Sequence, residues 1–212
     1  MWGFGTAVEN AIIDAELRGQ PYPTSTDRYV GLLTCTNGVI ARSTAYVSGN
    51  TAVAMTSDGT YHLYSCTTAG TTASTAPPFP GVPNETVTDG TVVWTEQSSG
   101  LATGTAAVEP SGGAYARVTV ASSLANWAGT QGAGTTAASS GTSGATSNNA
   151  AVTFPTSTAA WATAPAMVWG IAIYDAATAG AVRFFGPMST PQNVGIGATI
   201  SFSAAQLSAA LH

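Results

Sequence analysis

The side chains able to do acid–base, nucleophilic or metal chemistry are few: two histidines, two cysteines, ten carboxylates and five arginines in 212 residues, with no lysine. Without that amine, Schiff-base and P-loop chemistry are excluded. A Ser-His-Asp relay would need His62, because His212 is the terminal residue. His62 sits in an alternating run between two tyrosines and reads as a half-exposed strand position. Cys35, His62, Cys66 and His212 could in number make a zinc site, but only His62 and Cys66 are close in sequence. On a strand that pair would point to one face about 13 Å apart. Glu85 and Asp89 are the one close acidic pair within a loop; they read as a solvated turn, and no DxDxDG spacing marks them as a Ca²⁺ loop. With general acids and bases this scarce, a non-catalytic protein with no cofactor and no metal is expected. Cys35 and Cys66 are too few for a disulfide framework and neither lies in a CxxC, so both are expected as buried free thiols.

Charge is scarce overall. Only 7% of the residues are charged, against about a quarter in an ordinary soluble protein. The surface must therefore be built mainly from Ser, Thr, Gly, Ala and Asn, which suits contact with partners. Lysine is also the residue that β proteins most often place on exposed strand edges to prevent edge-to-edge pairing. The five arginines (Arg18, Arg28, Arg42, Arg117, Arg183) are scattered and the net charge is −5, so the basic footprint of a nucleic-acid binder is missing. Met1-Trp2-Gly3-Phe4 lacks the basic and apolar regions of a secretory signal. The longest apolar stretch, Ala164 to Ile173, is broken by Pro165 and Gly170 and falls short of a span of about 20 residues. No membrane contact is expected, and the protein is expected to be made in the cytoplasm.

The elements that must position these groups are mostly strands, as the 24 Gly and 11 Pro with abundant Thr and Val suggest. The spacing predicts one helix over residues 6–18, opened by a Thr6/Glu9 capping box, with Val8, Ile12 and Ala15 on one face beside Ala11, and stopped by Gly19. Tyr29 to Thr34 reads as a buried strand ended by Asn37-Gly38. Residues 48–99 read as a small inserted β module, in which Asp58-Gly59 and Asp89-Gly90 turns each precede a strand and flank a Thr- and Pro-rich connection from Thr67 to Pro83. Residues 128–149, almost all Gly, Ala, Ser and Thr, read as a loop or flexible arm. Four strand-like runs follow in order (Ala151–Phe154, Met167–Asp175, Ala181–Gly186, Asn193–Phe202) and imply an antiparallel meander or sandwich. The expected fold is mainly β: an antiparallel β-sandwich of residues 1–47 and 100–212, with an N-terminal helix and a small β-rich insertion.

The order of the N-terminal helix, Tyr29-Val30-Gly31-Leu32-Leu33-Thr34, Gly113-Ala114-Tyr115-Ala116-Arg117, Ala151-Val152-Thr153-Phe154-Pro155, Trp161, Gly170-Ile171-Ala172-Ile173-Tyr174-Asp175-Ala176, Phe185-Gly186-Pro187-Met188 and the closing Leu207-Ser208-Ala209-Ala210-Leu211 resembles a family of small tailed-bacteriophage virion proteins. Its members are usually labelled phage tail fibre or minor tail proteins. The resemblance spans residues 1–47 and roughly 100–212. It departs from the family at Gln192-Asn193, where a lysine is common. The 48–99 segment resembles small β modules inserted into other phage structural proteins.

The resemblance implies a structural protein of the virion, assembled in the host cytoplasm. A compact charge-poor module suits a capsid decoration or cement protein that binds the outside of the head shell through many modest contacts. Its partners would be the major capsid protein or tail proteins and copies of itself. The alternative is a tail fibre or minor tail component that binds a receptor, although no repeat, sustained heptad or Gly-X-Y period builds a shaft. A third reading is a carbohydrate-binding module for a host-surface glycan: Tyr61, Tyr64 and Trp94 could form either the small core of the insertion or a sugar-stacking face. Trp161, Trp169, Tyr174, Phe184 and Phe185 read as core of the strand-rich last third.

Overall fold

Met167–Tyr174 is apolar on both faces and forms the middle strand of the main sheet. The computed structural model describes residues 3–210. This sheet has five strands in the order Gly3–Phe4, Val182–Gln192, Met167–Tyr174, Asp27–Cys35 and Val118–Ala121, all antiparallel. In the middle strand Val168, Ile171 and Ile173 face one core while Trp169, Ala172 and Tyr174 face the other. Simple alternation would not place Val168 and Ile171 on the same side. A bulge between Val168 and Gly170, present against both neighbouring strands, inserts the extra residue that restores it.

Each face carries its own cover. On the first, Val30, Leu32, Ile171 and Ile173 pack with Phe154, Trp161, Val194, Ile200 and Leu207. These come from two short antiparallel ribbons, Val152–Thr153 with Ser201–Phe202 and Ala145–Ser147 with Ser208–Ala210, and their connections. On the second face Leu33, Cys35, Trp169, Ala172 and Phe185 pack with Leu101 of the short helix Ser98–Thr103 and with Val53 and Leu63. The last two belong to a four-stranded sheet, ordered Thr51–Met55, Tyr61–Thr68, Val92–Glu96, Thr86–Asp89. The result is a mainly β, sandwich-like arrangement of antiparallel sheets with few helices.

Within the four-stranded sheet, Val53 and Leu63 point to the main sheet. Alternate residues Ala52, Ala54, Tyr64, Cys66, Val92 and Trp94 form a separate core with Phe79 from the Thr67–Pro83 connection. Ile40 and Tyr46 join this core and Ala45–Tyr46 pairs with Gly70–Thr71, so the unit draws in residues ahead of the expected boundary at 48.

The helix runs Thr6–Arg18 and stops at Gly19 in the left-handed conformation. The expected capping box is not formed, because Gly5 occupies the cap position. Strand pairing of Gly3–Phe4 with Phe184–Phe185 and a Gly5 N–H to Arg183 C=O bond of 2.9 Å fix the chain there, so Thr6 is already helical. Val8 and Ala11 are buried, whereas Ile12, Ile13 and Leu17 are exposed.

The last third is not a simple meander. Met167–Tyr174 and Val182–Gln192 form a hairpin, but Val152–Thr153 pairs with Ser201–Phe202 across the first core instead of with the hairpin. Residues 128–149 form a loop closed on itself by Gln131 Nε2 to Ala138 C=O (2.6 Å), Thr130 Oγ1 to Gly141 C=O (3.1 Å) and Ser143 Oγ to Thr130 C=O (2.6 Å). Its end is the strand Ala145–Ser147, so the tract is more ordered by hydrogen bonds than its composition suggests.

Trp169 is 2% exposed and lies between the two sheets with Leu63 and Val53. Trp169→Ala is expected to lower unfolding free energy by about 3–5 kcal/mol in a denaturant titration. A loss under about 1 kcal/mol would mean that the sheets do not share that core.

Candidate functional site

The two segments that carry the phage-like signature, Gly113–Arg117 and Gly170–Ala176, meet around one half-buried carboxylate, Glu109. Arg117 binds Glu109 through Nε (3.1 and 3.0 Å to the two oxygens) and Nη2 (2.5 Å to Oε2). Its Nη1 donates to the carbonyls of Ala176 and Ala179, each at 2.7 Å, in the turn of the Met167–Gln192 hairpin. The guanidinium carbon stands 3.3 Å from the centroid of the Tyr174 ring, a cation–π contact. The Tyr115 hydroxyl donates to Glu109 Oε1 (2.6 Å) and accepts from the Leu32 N–H (2.9 Å), which ties the cluster to the main sheet. Burial, with Glu109 beside it, raises the Tyr115 pKa well above the ordinary phenol range, so this hydroxyl stays protonated and donating. Gly31 makes room: a Cβ there would lie 2.3 Å from Glu109 Oε1 and 2.9 Å from the Tyr174 ring. Gly113 contributes its carbonyl, which accepts from Trp161 Nε1 at 2.9 Å. The guanidinium, the carboxylate and the Tyr115 hydroxyl thus bond one another, the hairpin turn and the main sheet, and together form a clasp.

The other candidates for chemistry are also engaged in structure. His62 Nδ1 lies 3.0 Å from Oε1 of the fully buried Glu96. Glu96 also accepts from the Ser98 hydroxyl and, at 2.8 Å, from the Ser98 N–H. Ser98 is therefore bonded to the carboxylate and not to the imidazole, the reverse of a nucleophile–base pair. His212 lies outside the described residues. Asp89 is not in a solvated turn: its side chain is buried, paired with Arg42 Nη1 at 2.8 Å, and it accepts from the Ala73 N–H at 3.0 Å, while Glu85 is exposed. Cys35 and Cys66 are free and buried in different cores. Burial pushes the Cys35 thiol up to about 11 and also raises Cys66. Among the described residues no three His, Cys, Asp or Glu side chains converge to hold a metal ion. No helix there is long and apolar enough to cross a membrane.

The three aromatic candidates part company. Tyr64 and Trp94 are fully buried. The Tyr64 hydroxyl donates to the Pro80 carbonyl at 2.5 Å, its ring meets Phe79 edge-on at 5.0 Å, and Trp94 meets Tyr46 edge-on at 4.9 Å. Neither can stack on a glycan or touch a partner, because alternation turns both into the core of the four-stranded sheet. Tyr61 points the other way and reaches the surface, where it borders a cleft of about 650 Å³ between the Asp58-Gly59 turn and the segments 187–192 and 199–206 of the main body. Sequence reading missed that cleft because its walls come from segments more than 100 residues apart. It also missed Asn148, which is 1% exposed inside the polar tract. The Asn148 side chain donates to the carbonyls of Ala150 (2.7 Å) and Ser203 (2.9 Å) and accepts from the Leu207 N–H (2.8 Å), anchoring the last segment.

The surface is poorer in charge than the composition alone implies. Four of the five arginines lie within 4 Å of a carboxylate: Arg18 with Asp14, Arg42 with Asp89, Arg117 with Glu109 and Arg183 with Asp175. Only the first pair is well exposed. Apolar side chains do reach solvent, with Leu17 81% and Ile196 76% exposed.

Residues 84–210, more than half of the chain, match the family described as Podophage GP4 fiber I protein gp80. The chain belongs to that family. It is therefore a phage structural protein. The gp80 match includes Glu109, Tyr115, Arg117, Tyr174 and Ala176, so the whole clasp except Gly31 and the contact to Leu32 lies within the family's span. It begins inside the expected insertion, takes in the Thr86–Glu96 hairpin, and does not include residues 1–47. No curated protein matches the chain.

Removing one partner from the clasp leaves a partly buried charge uncompensated. Arg117→Ala and Glu109→Ala are each expected to cost about 2 kcal/mol in urea unfolding. The double variant should cost clearly less than their sum. Arg117→Lys should also destabilise, since lysine lacks the planar fork that serves Glu109 and two carbonyls together. Strictly additive effects would show that the pair is not coupled.

Proposed function

We propose that this gp80-family protein is a non-catalytic attachment subunit of the virion surface, seated on the outside of the head shell as a decoration or cement protein, against the major capsid protein and copies of itself. The observation that carries this reading is the placement of charge in a phage structural protein: most arginines are internally paired, and the strand edges carry no lysine. Such a surface can approach another protein without stripping water from many ions, the costly step in burying charge. Repetition over a shell multiplies modest contacts into stable attachment. The exposed Ile13 and Leu17 on the N-terminal helix and Ile196 add apolar area for such contacts. Absence of catalysis is supported by the engagement of His62 with Glu96 and by the inward-turned clasp at Arg117.

The description of the gp80 family as a fiber protein favours a second position, a compact subunit of a tail fibre or tail tip. Neither position needs a long shaft, and the chain contains no repeat that would build one.

Cryo-EM of the intact particle separates the two. The head reading expects density of this fold repeated over the capsid surface. Density confined to the tail would overturn it in favour of the fibre, and absence of the protein from purified particles would overturn both.

A further inference from the structure

The cleft beside Tyr61 has the composition of a binding site, and none of its lining residues is charged. Its volume of about 650 Å³ lies within the range of small-ligand pockets, roughly 300–1,000 Å³. One wall is Tyr61 with Gly59 and Thr60 of the preceding turn; the opposite wall is Met188, Gln192, Phe202 and Gln206. The turn is firm: the Asp58 carboxylate accepts from the Thr60 N–H (3.1 Å) and hydroxyl (2.8 Å) and from the Thr56 hydroxyl, hydrogen bonds that hold its carboxyl well below the usual range.

Two kinds of polar group line the cleft. The hydroxyls of Thr199 and Ser201 are taken up by Thr156 (2.8 Å) and Thr153 (2.7 Å). The Tyr61 hydroxyl and the Gln192 amide, by contrast, make no hydrogen bond to other described residues. The Gln206 carbonyl accepts from the Ser203 N–H (2.6 Å), which leaves its NH₂ group to donate. Two aromatic rings, one thioether and two amides around an uncharged space offer flat apolar faces together with neutral donors and acceptors. A phosphate or carboxylate ligand would find no counter-charge here, and a cation would find no carboxylate in the wall. A sugar ring, apolar on its C–H face and rich in hydroxyls at its rim, meets both parts of the lining.

We propose that this cleft binds a short neutral oligosaccharide, with Tyr61 and Phe202 as the stacking surfaces and Gln192 and Gln206 as hydrogen-bonding groups. This is a different site from the buried Tyr64 and Trp94, and it stands whether the protein sits on the head or on a fibre.

The test is binding of the full-length protein to an array of immobilised bacterial surface glycans, neutral and acidic. Retention of one or more neutral glycans is expected, with Tyr61→Ala and Gln192→Ala each weakening it about tenfold. Gln192 is exposed and outside the packed cores, so its variant tests the site even where loss of the Tyr61 ring perturbs folding. Failure to retain any neutral glycan, retention of acidic glycans only, or neutral binding untouched by Gln192→Ala would each overturn the proposal. The readout uses the isolated protein, so its failure leaves the virion position to be decided by imaging.

Discussion

The Arg117 guanidinium holds together segments that are far apart in the chain. Its fork grips Glu109, its remaining nitrogen donates to two carbonyls of the Met167–Gln192 hairpin turn, and its face lies on Tyr174 of the middle strand. Through Tyr115 the same carboxylate is joined to Leu32 of the neighbouring strand. The hairpin supplies the two strands on which both cores of the main sheet are built, so the geometry of the sheet and the clasp that pins its turn depend on each other. A charged pair is an expensive thing to bury and is tolerable only when nearly every donor and acceptor is matched. Here the pair is matched, and Gly31 leaves the space that makes it possible.

The clasp is one case of a wider pattern. Asp89 and Glu96 have fully buried side chains, and Arg117 and Arg183 are nearly so; each faces an oppositely ionisable partner. A chain with so few ionisable residues thus places many of them inside. What faces outward is mostly hydroxyl, amide, methyl and backbone, with a few charges such as Glu9, Glu16, Asp58 and Glu85 and apolar side chains such as Leu17 and Ile196 among them. That surface, in a member of the gp80 family, is consistent with the attachment role proposed above.

Local structure was legible wherever a local cause dictates it. The helix bounds follow from apolar spacing and Gly19, and Tyr29–Leu33 and Met167–Tyr174 are continuous apolar runs because both sheet faces are covered. What depended on distant partners was hidden. The Gly3–Phe4 pairing displaced the Thr6 cap, and Val152–Thr153 crossed to Ser201–Phe202 instead of joining a meander. Asp89 looked solvated beside Glu85 because nothing local reveals that Arg42 lies against it. For Tyr61, Tyr64 and Trp94, spacing alone separates Tyr61 from Tyr64, but which side faces water depends on the Phe79 connection that covers Tyr64 and Trp94. The clasp residues were visible as signatures, yet their meeting at Glu109 was not.

If the surface works by uncharged contact, attachment should not depend on ionic strength, because screening weakens only interactions between charges. The direct measurement is the amount of this protein retained on purified particles washed in salt from roughly 0.1 M to roughly 1 M. Copy number per particle is predicted to stay constant across that range. Progressive release as salt rises would contradict the account, since it would mean that charge holds the protein in place.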